Sequence, residues 1–175
     1  MIHKKQLRKI CLEKRNRLKD KERETYSAAI CEKLLPYLDG KTVLSYYPCG
    51  SEVDVSIINE KLDVAYPVIL PERQMEARKP VNHGMILNRY GIPEPDPAHS
   101  IKVAKEDIDV IIVPCVGFNK KKQRLGHGGG YYDRYLKDCK ALKIAVAFEV
   151  QKLDSELAEE NDVPVDLIVT EKSTC

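Results

Sequence analysis

The segment RLGHGGGYYDRYL, residues 124–136, places Arg124, four glycines at 126, 128, 129 and 130, and Asp133 within ten positions. Those residue types in that order suit polyphosphate. Gly126, Gly128, Gly129 and Gly130 permit positive φ and bring bare backbone N–H groups close to a ligand. A helix opening after the last glycine would turn its unpaired N–H groups, with their partial positive charge, to the same point. Arg124 adds a charge-assisted contact that can be bidentate on phosphate oxygens. Asp133, just inside the expected helix start, is either a favourable dipole partner or a Mg2+ ligand beside bound phosphates. Asp166, opening the last apolar run, is either a strand-edge residue or a second ligand for that ion. Lys4 and Arg8 share one face of an N-terminal helix. They form a solvated basic face unless that helix packs beside the glycine loop, where they would clamp a polyphosphate. The segment is not a P-loop, since neither lysine nor hydroxyl follows its last glycine. Nor is it a dinucleotide fingerprint, because no acidic residue ends a second strand about twenty positions on.

The elements that must carry these residues follow from periodicity and turn signals. Residues 2–18 read as a helix, with Ile2, Leu7, Ile10, Cys11 and Leu18 near helical spacing. Asp20 is expected to cap a second helix that ends at Pro36. TVLSYYP (42–48) reads as a strand, on which Tyr46 and Tyr47 face opposite sides. Asp54 should cap a short helix through Leu62. VAYPVIL (64–70) reads as a strand. Residues 71–100, carrying Pro71, Pro80, Pro93, Pro95 and Pro97, read as irregular, with a strand around Met85 to Leu87. DVIIVPCVGF (109–118) and KIAVAF (143–148) are apolar enough to be strands buried on both faces. YYDRYLKDCKAL should be helical, SELAEEND one or two helical turns, and VDLIVTE (165–171) a last strand. Alternating strands and helices after residue 40 predict one α/β domain over 1–175, a sandwich around a mostly parallel sheet. The glycine segment then falls at the carboxyl end of a strand, where ligands gather in such sheets.

Composition narrows the function. Hydrophobic residues at 43% and charged residues at 32% are ordinary for a soluble domain. No apolar run approaches the roughly 20 residues that span a bilayer, and the basic N-terminus lacks the apolar core of a secretory signal. The six cysteines form no CxxC pair, so they read as free thiols in a reducing, cytoplasmic compartment. A net charge of +2 gives no nucleic-acid footprint across the chain. The local run KKKQR at 120–124 leaves an RNA surface as a competing class, weakened by the lack of interleaved aromatics.

Lys4-xxx-Arg8, YGIPEP at 90–95, VPCVGF at 113–118 and the RLGHGGGYYDRYL block occur in an order that resembles the 5-formyltetrahydrofolate cyclo-ligase family across nearly the whole chain. The resemblance implies a three-layer sandwich of the ribose-phosphate isomerase and CoA-transferase type. It implies an ATP- and Mg2+-dependent ring closure of 5-formyltetrahydrofolate to 5,10-methenyltetrahydrofolate, in a monomer acting on a reduced folate with or without a polyglutamate tail. Carried over by position, Lys4, Arg8, Arg124, Leu125, Gly126, His127, Gly128, Gly129, Gly130, Tyr131 and Tyr132 would hold ATP. Arg124 and Tyr132 would serve catalysis, and Asp133 and Asp166 would hold Mg2+. Tyr47, Glu52 and the loop from His127 to Tyr131 would meet the folate. The chain departs from the family pattern at 119–123, where Asn119 and Lys122 stand in place of an acidic residue and a turn glycine. Lys122 would cost about 1 kcal/mol if its φ must be positive. A kinase or ligase of the same fold acting on another acceptor is the alternative activity.

Overall fold

The computed structural model describes residues 3–157 and 159–175. Ile2, assigned above to the first helix, and Ala158, inside SELAEEND, lie outside them. Helix α1 spans Lys4–Asn16, uninterrupted by Gly or Pro, and buries Leu7, Cys11 and Arg15. Helix α2 spans Asp20–Leu38. Asp20 is its first helical residue rather than its cap; Glu22 Oε2 accepts from the Lys19 N–H instead, at 2.8 Å. The helix also runs past Pro36, which forfeits only one hydrogen bond in the last turn, while fully buried Leu38 anchors that turn.

The first strand, β1, is only Val43–Leu44, and α3 is Ser56–Lys61, with Asp54 Oδ1 accepting from the Ser56 N–H. The expected strand over 64–70 is β2 (Tyr66–Ile69). The proline-rich stretch 71–100 is not irregular: besides β4 (Met85–Leu87), where a strand is expected, it carries β3 (Met75–Pro80), β5 (Pro93–Pro95) and the start of β6 (Ser100–Val103). Pro80, Pro93 and Pro95 sit at strand ends, and Pro67 lies within β2, an edge strand. The run 109–118 divides into β7 (Val110–Pro114) and β8 (Gly117–Phe118); the latter forms a hairpin with β9 (Arg124–Leu125). Next come α4 (Tyr131–Leu136), β10 (Leu142–Val146) and β11 (Leu167–Val169). Helix α4 stops early: Lys137 leaves the helical conformation with ψ 130°, and Asp138 follows with a positive φ of 58°. Among the described residues SELAEEND forms no helix.

Strands β1, β7, β10 and β11 lie side by side in the order β1-β7-β10-β11, all parallel, with Val43 opposite Val110, Ile144 opposite Ile112 and Ala145 opposite Ile168. The remaining seven strands pair antiparallel in three small sheets, so the parallel part is smaller than the apolar pattern predicts. The period of two sends alternate residues of the parallel sheet to opposite faces. Val110, Ile112, Ile144 and Val146 pack with Ile30 and Leu34 of α2 and Ile58 of α3. Ile111, Val113 and Ala145 pack with Leu136 of α4 and with Met75 and Ala77 of β3.

A third apolar cluster joins Leu7 and Cys11 of α1 to Val116, Leu125, Leu153 and Leu157. It docks α1 onto the β8–β9 hairpin. Gly117 makes that approach possible, since a Cβ there would stand 2.8 Å from Cys11 Sγ. Burial pushes up the thiols packed in these layers, Cys31 to about 11 and Cys115 to about 12. They behave as small apolar side chains, not nucleophiles.

A candidate nucleotide and substrate cleft

The docking of α1 brings part of its basic face to the glycine loop. The chain leaves β9 at Leu125, makes the glycine loop and enters α4 directly. Gly128 has φ 96° and Gly130, the residue capping α4, has φ 73°. Arg8 Nε donates to the Gly126 carbonyl at 2.8 Å, and the Arg8 guanidinium lies over Gly128, where a Cβ would come within 3.2 Å of its central carbon. Lys4 Nζ is paired with Asp162 at 2.5 Å and Glu159 at 3.2 Å. Arg8 therefore reaches the loop, while Lys4 lines the same cleft from its pairing with Asp162 and Glu159. Because α4 has six residues, the loop's attraction for anions rests on free N–H groups and side-chain cations more than on a long helix dipole.

Arg124 is 6% exposed, and its Nη2 donates to Asp133 Oδ1 at 2.6 Å. The Val163 N–H donates to the same oxygen at 3.1 Å. Arg124 Nε is buried with no partner among the described residues. Asp133 Oδ2 receives no hydrogen bond among them, and the residue lines the cleft. Asp133 is thus both the counter-ion of a buried arginine and a carboxylate with one open oxygen. Asp166 is elsewhere. Its Oδ2 accepts from the Lys143 N–H at 2.8 Å, at the amino end of β10 and β11, and it does not line the cleft. The two aspartates proposed for one ion are therefore not brought together. Among the described residues no three His, Cys, Asp or Glu side chains gather as a ready-made metal site.

The cleft, of about 1360 Å³, opens at the carboxyl ends of the parallel strands. That exceeds the volume of a usual single-ligand pocket. Lys4, Arg8, Arg124, the glycine loop and Asp133 line it together with Tyr47, Glu52 and Tyr90. Tyr46 and Tyr47 divide as their alternation predicts: Tyr46 is buried, its hydroxyl donating to the Val53 carbonyl at 2.6 Å, while Tyr47 is 45% exposed. Glu52 Oε2 accepts from the Cys49 N–H at 2.9 Å, and Oε1 meets His127 Nε2 at 3.0 Å. Glu52 therefore ties the end of the first strand's loop to the glycine loop. Tyr131 reaches outward, bonding Arg89 and the Tyr90 hydroxyl. The Tyr90 hydrogen bond, helped by the nearby Arg89 charge, draws its phenol down. Burial, with Glu52 nearby, pushes the Tyr132 phenol up, so it stays protonated near neutral pH and keeps an O–H that can donate.

Lys122 does take a positive φ, 62°, in the hairpin loop; its carbonyl accepts from the Val165 N–H, which offsets part of the strain. Three features escape a reading of the sequence. Arg15 lines the cleft, though its only sequence signal is helical spacing with Lys4 and Arg8. Arg89 and Tyr90 reach the loop from the β4–β5 turn. The acids Glu159 and Asp162 meet Lys4 across the length of the chain, a contact that no local pattern encodes.

The chain is thus an α/β protein whose glycine loop, cations and carboxylate stand at the carboxyl rim of its parallel sheet, the place where ligands gather in such folds. Residues 1–171 match the family model described as the 5-formyltetrahydrofolate cyclo-ligase family, and the chain belongs to that family. A 5-formyltetrahydrofolate cyclo-ligase of Mycoplasma pneumoniae is 33% identical, over 95% of this chain and 97% of its own. One from Mycolicibacterium smegmatis is 30% identical, over 97% and 94%. The fold is similar to the NMR structure of Aquifex aeolicus 5,10-methenyltetrahydrofolate synthetase, with TM-score 0.86, 32% identity, and coverage of 99% of this chain and 92% of that one.

Proposed function

We propose that this chain uses Mg-ATP to close the ring of 5-formyltetrahydrofolate, giving 5,10-methenyltetrahydrofolate, ADP and phosphate. One observation carries the reading: a single cleft sets the glycine loop, with Lys4, Arg8 and Arg124, against a wall bearing Tyr47 and Glu52. The covering of the parallel sheet on both faces supports the three-layer arrangement of the ribose-phosphate isomerase and CoA-transferase type.

A formamide oxygen is a poor leaving group. Its lone pair attacks the γ-phosphorus, and the bond to the ADP oxygen breaks. The N10 lone pair then attacks the activated carbon, the C–O bond breaks and phosphate departs with that oxygen; N10 loses its proton. In phosphoryl transfer the protein mainly positions groups and offsets charge. Arg8 and the loop N–H groups hold the phosphates, and Lys4 exchanges Asp162 and Glu159 for phosphate oxygens. Arg124, buried and fixed by Asp133, faces the charge that develops on the transferred group. Tyr132, kept protonated by burial, donates to an oxygen on the reacting side.

The donor set fits Mg2+ by one carboxylate, since this ion commonly takes one or two protein carboxylates and completes its shell with phosphate oxygens and water. Asp133 Oδ2 would hold it; Asp166 would not. When bound, the ion neutralises charge on the phosphate oxygens. Tyr47 and Glu52 would receive a reduced folate, with or without a polyglutamate tail.

The test is the absorbance of the methenyl product with and without ATP. Product that needs both ATP and Mg2+ is expected. ATP consumed with the folate unchanged would favour a kinase or ligase acting on another acceptor. A second prediction concerns the loop. Gly128→Ala should cost about 1–2 kcal/mol of stability through its positive φ, and should weaken ATP about tenfold because the Cβ displaces Arg8. Thermal melting and nucleotide titration check both; an unchanged ATP affinity would remove Arg8 from the phosphate site.

A further inference from the structure

Arg15 is a buried cation that makes no hydrogen bond or ion pair with a carboxylate among the described residues, although Glu52 lies near enough to act on its charge. The residue is 4% exposed yet lines the cleft. Its Nε donates to Ser51 Oγ at 2.9 Å, and Ser51 Oγ in turn donates to Asn16 Oδ1 at 2.5 Å. Its two terminal nitrogens have no hydrogen-bond or ion-pair partner among the described residues, and they are not sealed in the interior either. They open onto the cleft. A guanidinium stays charged at any working pH, and burying one unpaired costs several kcal/mol. An oxygen acceptor is therefore expected to meet it in the occupied state.

Position decides which acceptor. At 1.5 Å per residue, Arg15 lies about 10 Å further along the α1 axis than Arg8, which sits on the glycine loop. Arg15 is thus away from the phosphate end of the basic stripe. Its anchor, Ser51, is the neighbour of Glu52, and Glu52 lines the same wall. That wall presents a pure acceptor, the carboxylate, beside a pure donor, the guanidinium.

We infer that Arg15 and Glu52 together read the pyrimidine edge of a 2-amino-4-oxo pteridine, Glu52 accepting from the ring and amino N–H groups and Arg15 donating to the 4-oxo oxygen. This rests on the proposed reading of the substrate as a folate and adds the residue that selects its oxidation pattern at C4. A 4-amino-4-deoxy analogue would point an N–H donor at the guanidinium, leaving both donors unpaired in a desolvated wall. A site built around a hydrogen bond rejects such an analogue strongly. Arg15 is a binding and specificity residue; no covalent step passes through it.

The experiment is calorimetric titration of the full-length protein, without ATP, with 5-formyltetrahydrofolate and with its 4-amino-4-deoxy analogue. Wild type should prefer the 4-oxo compound by about tenfold or more. Arg15→Met keeps the packed stem and removes the guanidinium. It should weaken the 4-oxo folate about 10- to 100-fold, shrink the 4-oxo preference to less than about threefold, and leave ATP affinity unchanged. Arg15→Lys keeps the charge but loses the two-pronged donor, and should shrink the preference in the same direction; it carries the test if the Met variant does not fold. Equal weakening of both folates would mean that Arg15 only supports the wall, and a loss confined to ATP would place it in the phosphate site; either overturns the inference. Wild-type protein that converts 5-formyltetrahydrofolate but shows no 4-oxo preference overturns the Arg15 assignment alone. Wild type that binds neither folate overturns the substrate reading with it.

Discussion

Asp133→Asn is expected to cut ATP-driven turnover about a thousandfold or more while leaving the protein folded. The choice of asparagine follows from what Asp133 touches. Its Oδ1 accepts from both the buried Arg124 guanidinium and the Val163 N–H. Alanine would remove the acceptor as well as the charge. Stranding a buried arginine costs about 3–5 kcal/mol when its partner is also buried, and less here because Asp133 is partly exposed. An inactive alanine variant would therefore confuse lost chemistry with lost structure. Asparagine retains an oxygen for Arg124 and Val163 but offers a neutral amide where a Mg2+ ligand is needed. Turnover followed as methenyl product, alongside thermal melting, separates the outcomes. Near-wild-type turnover in excess Mg2+ would remove the metal role. A melting temperature lowered by more than about 10 °C would mean that the residue is chiefly the arginine's counter-ion.

The contrast between Asp133 and Asp166 shows what a sequence can and cannot place. Both are acidic residues beside apolar runs, and both looked able to serve one ion. Asp133 is tied by chain connectivity to the glycine loop, so it falls at the carboxyl rim whatever the details. Asp166 precedes its strand rather than following it, and so falls at the opposite rim, where it bonds the Lys143 N–H. The direction of a parallel strand decides this, and chain order already carries it: a residue that opens a strand of a parallel sheet lies at the rim opposite to one that follows a strand. The central strands β7 and β10 were legible because burial on both faces leaves no polar alternation. The strands β3 and β5 were not, because prolines and charges dominate them, and β6 is only four residues long with exposed Ile101 and Lys102 at its centre. Those prolines occupy edges and ends, where a missing N–H costs nothing in the ladder. The glycine loop was legible from residue types alone. The approach of α1 to it was not, because it depends on Gly117 admitting Cys11 and on an apolar cluster drawn from four separate segments. Arg15 belongs to that second kind of fact. Its place on the Lys4–Arg8 stripe acquires meaning only once the helix is docked along the cleft.

Glu52→Gln is the second change expected to have a large effect, and it decides between two roles that the structure gives one carboxylate. Glu52 closes the turn after β1 by accepting from the Cys49 N–H, and it meets His127 of the glycine loop. If closing the turn were its whole function, glutamine would serve nearly as well, because its carbonyl oxygen can accept the same N–H. If it reads the donor edge of a folate, glutamine places an NH2 group against N–H donors and leaves both desolvated. The expected loss is then about 100-fold in the KM for the folate, the scale of an unpaired buried hydrogen-bonding group facing a charged one. The KM for ATP should stay within about threefold, because Arg8 and the glycine backbone that hold it are untouched. Steady-state kinetics with each substrate varied in turn make the measurement. A folate KM near that of wild type would reduce Glu52 to a turn cap, and a rise confined to ATP would mean that its contact with His127, and so the shape of the glycine loop, is what it supplies.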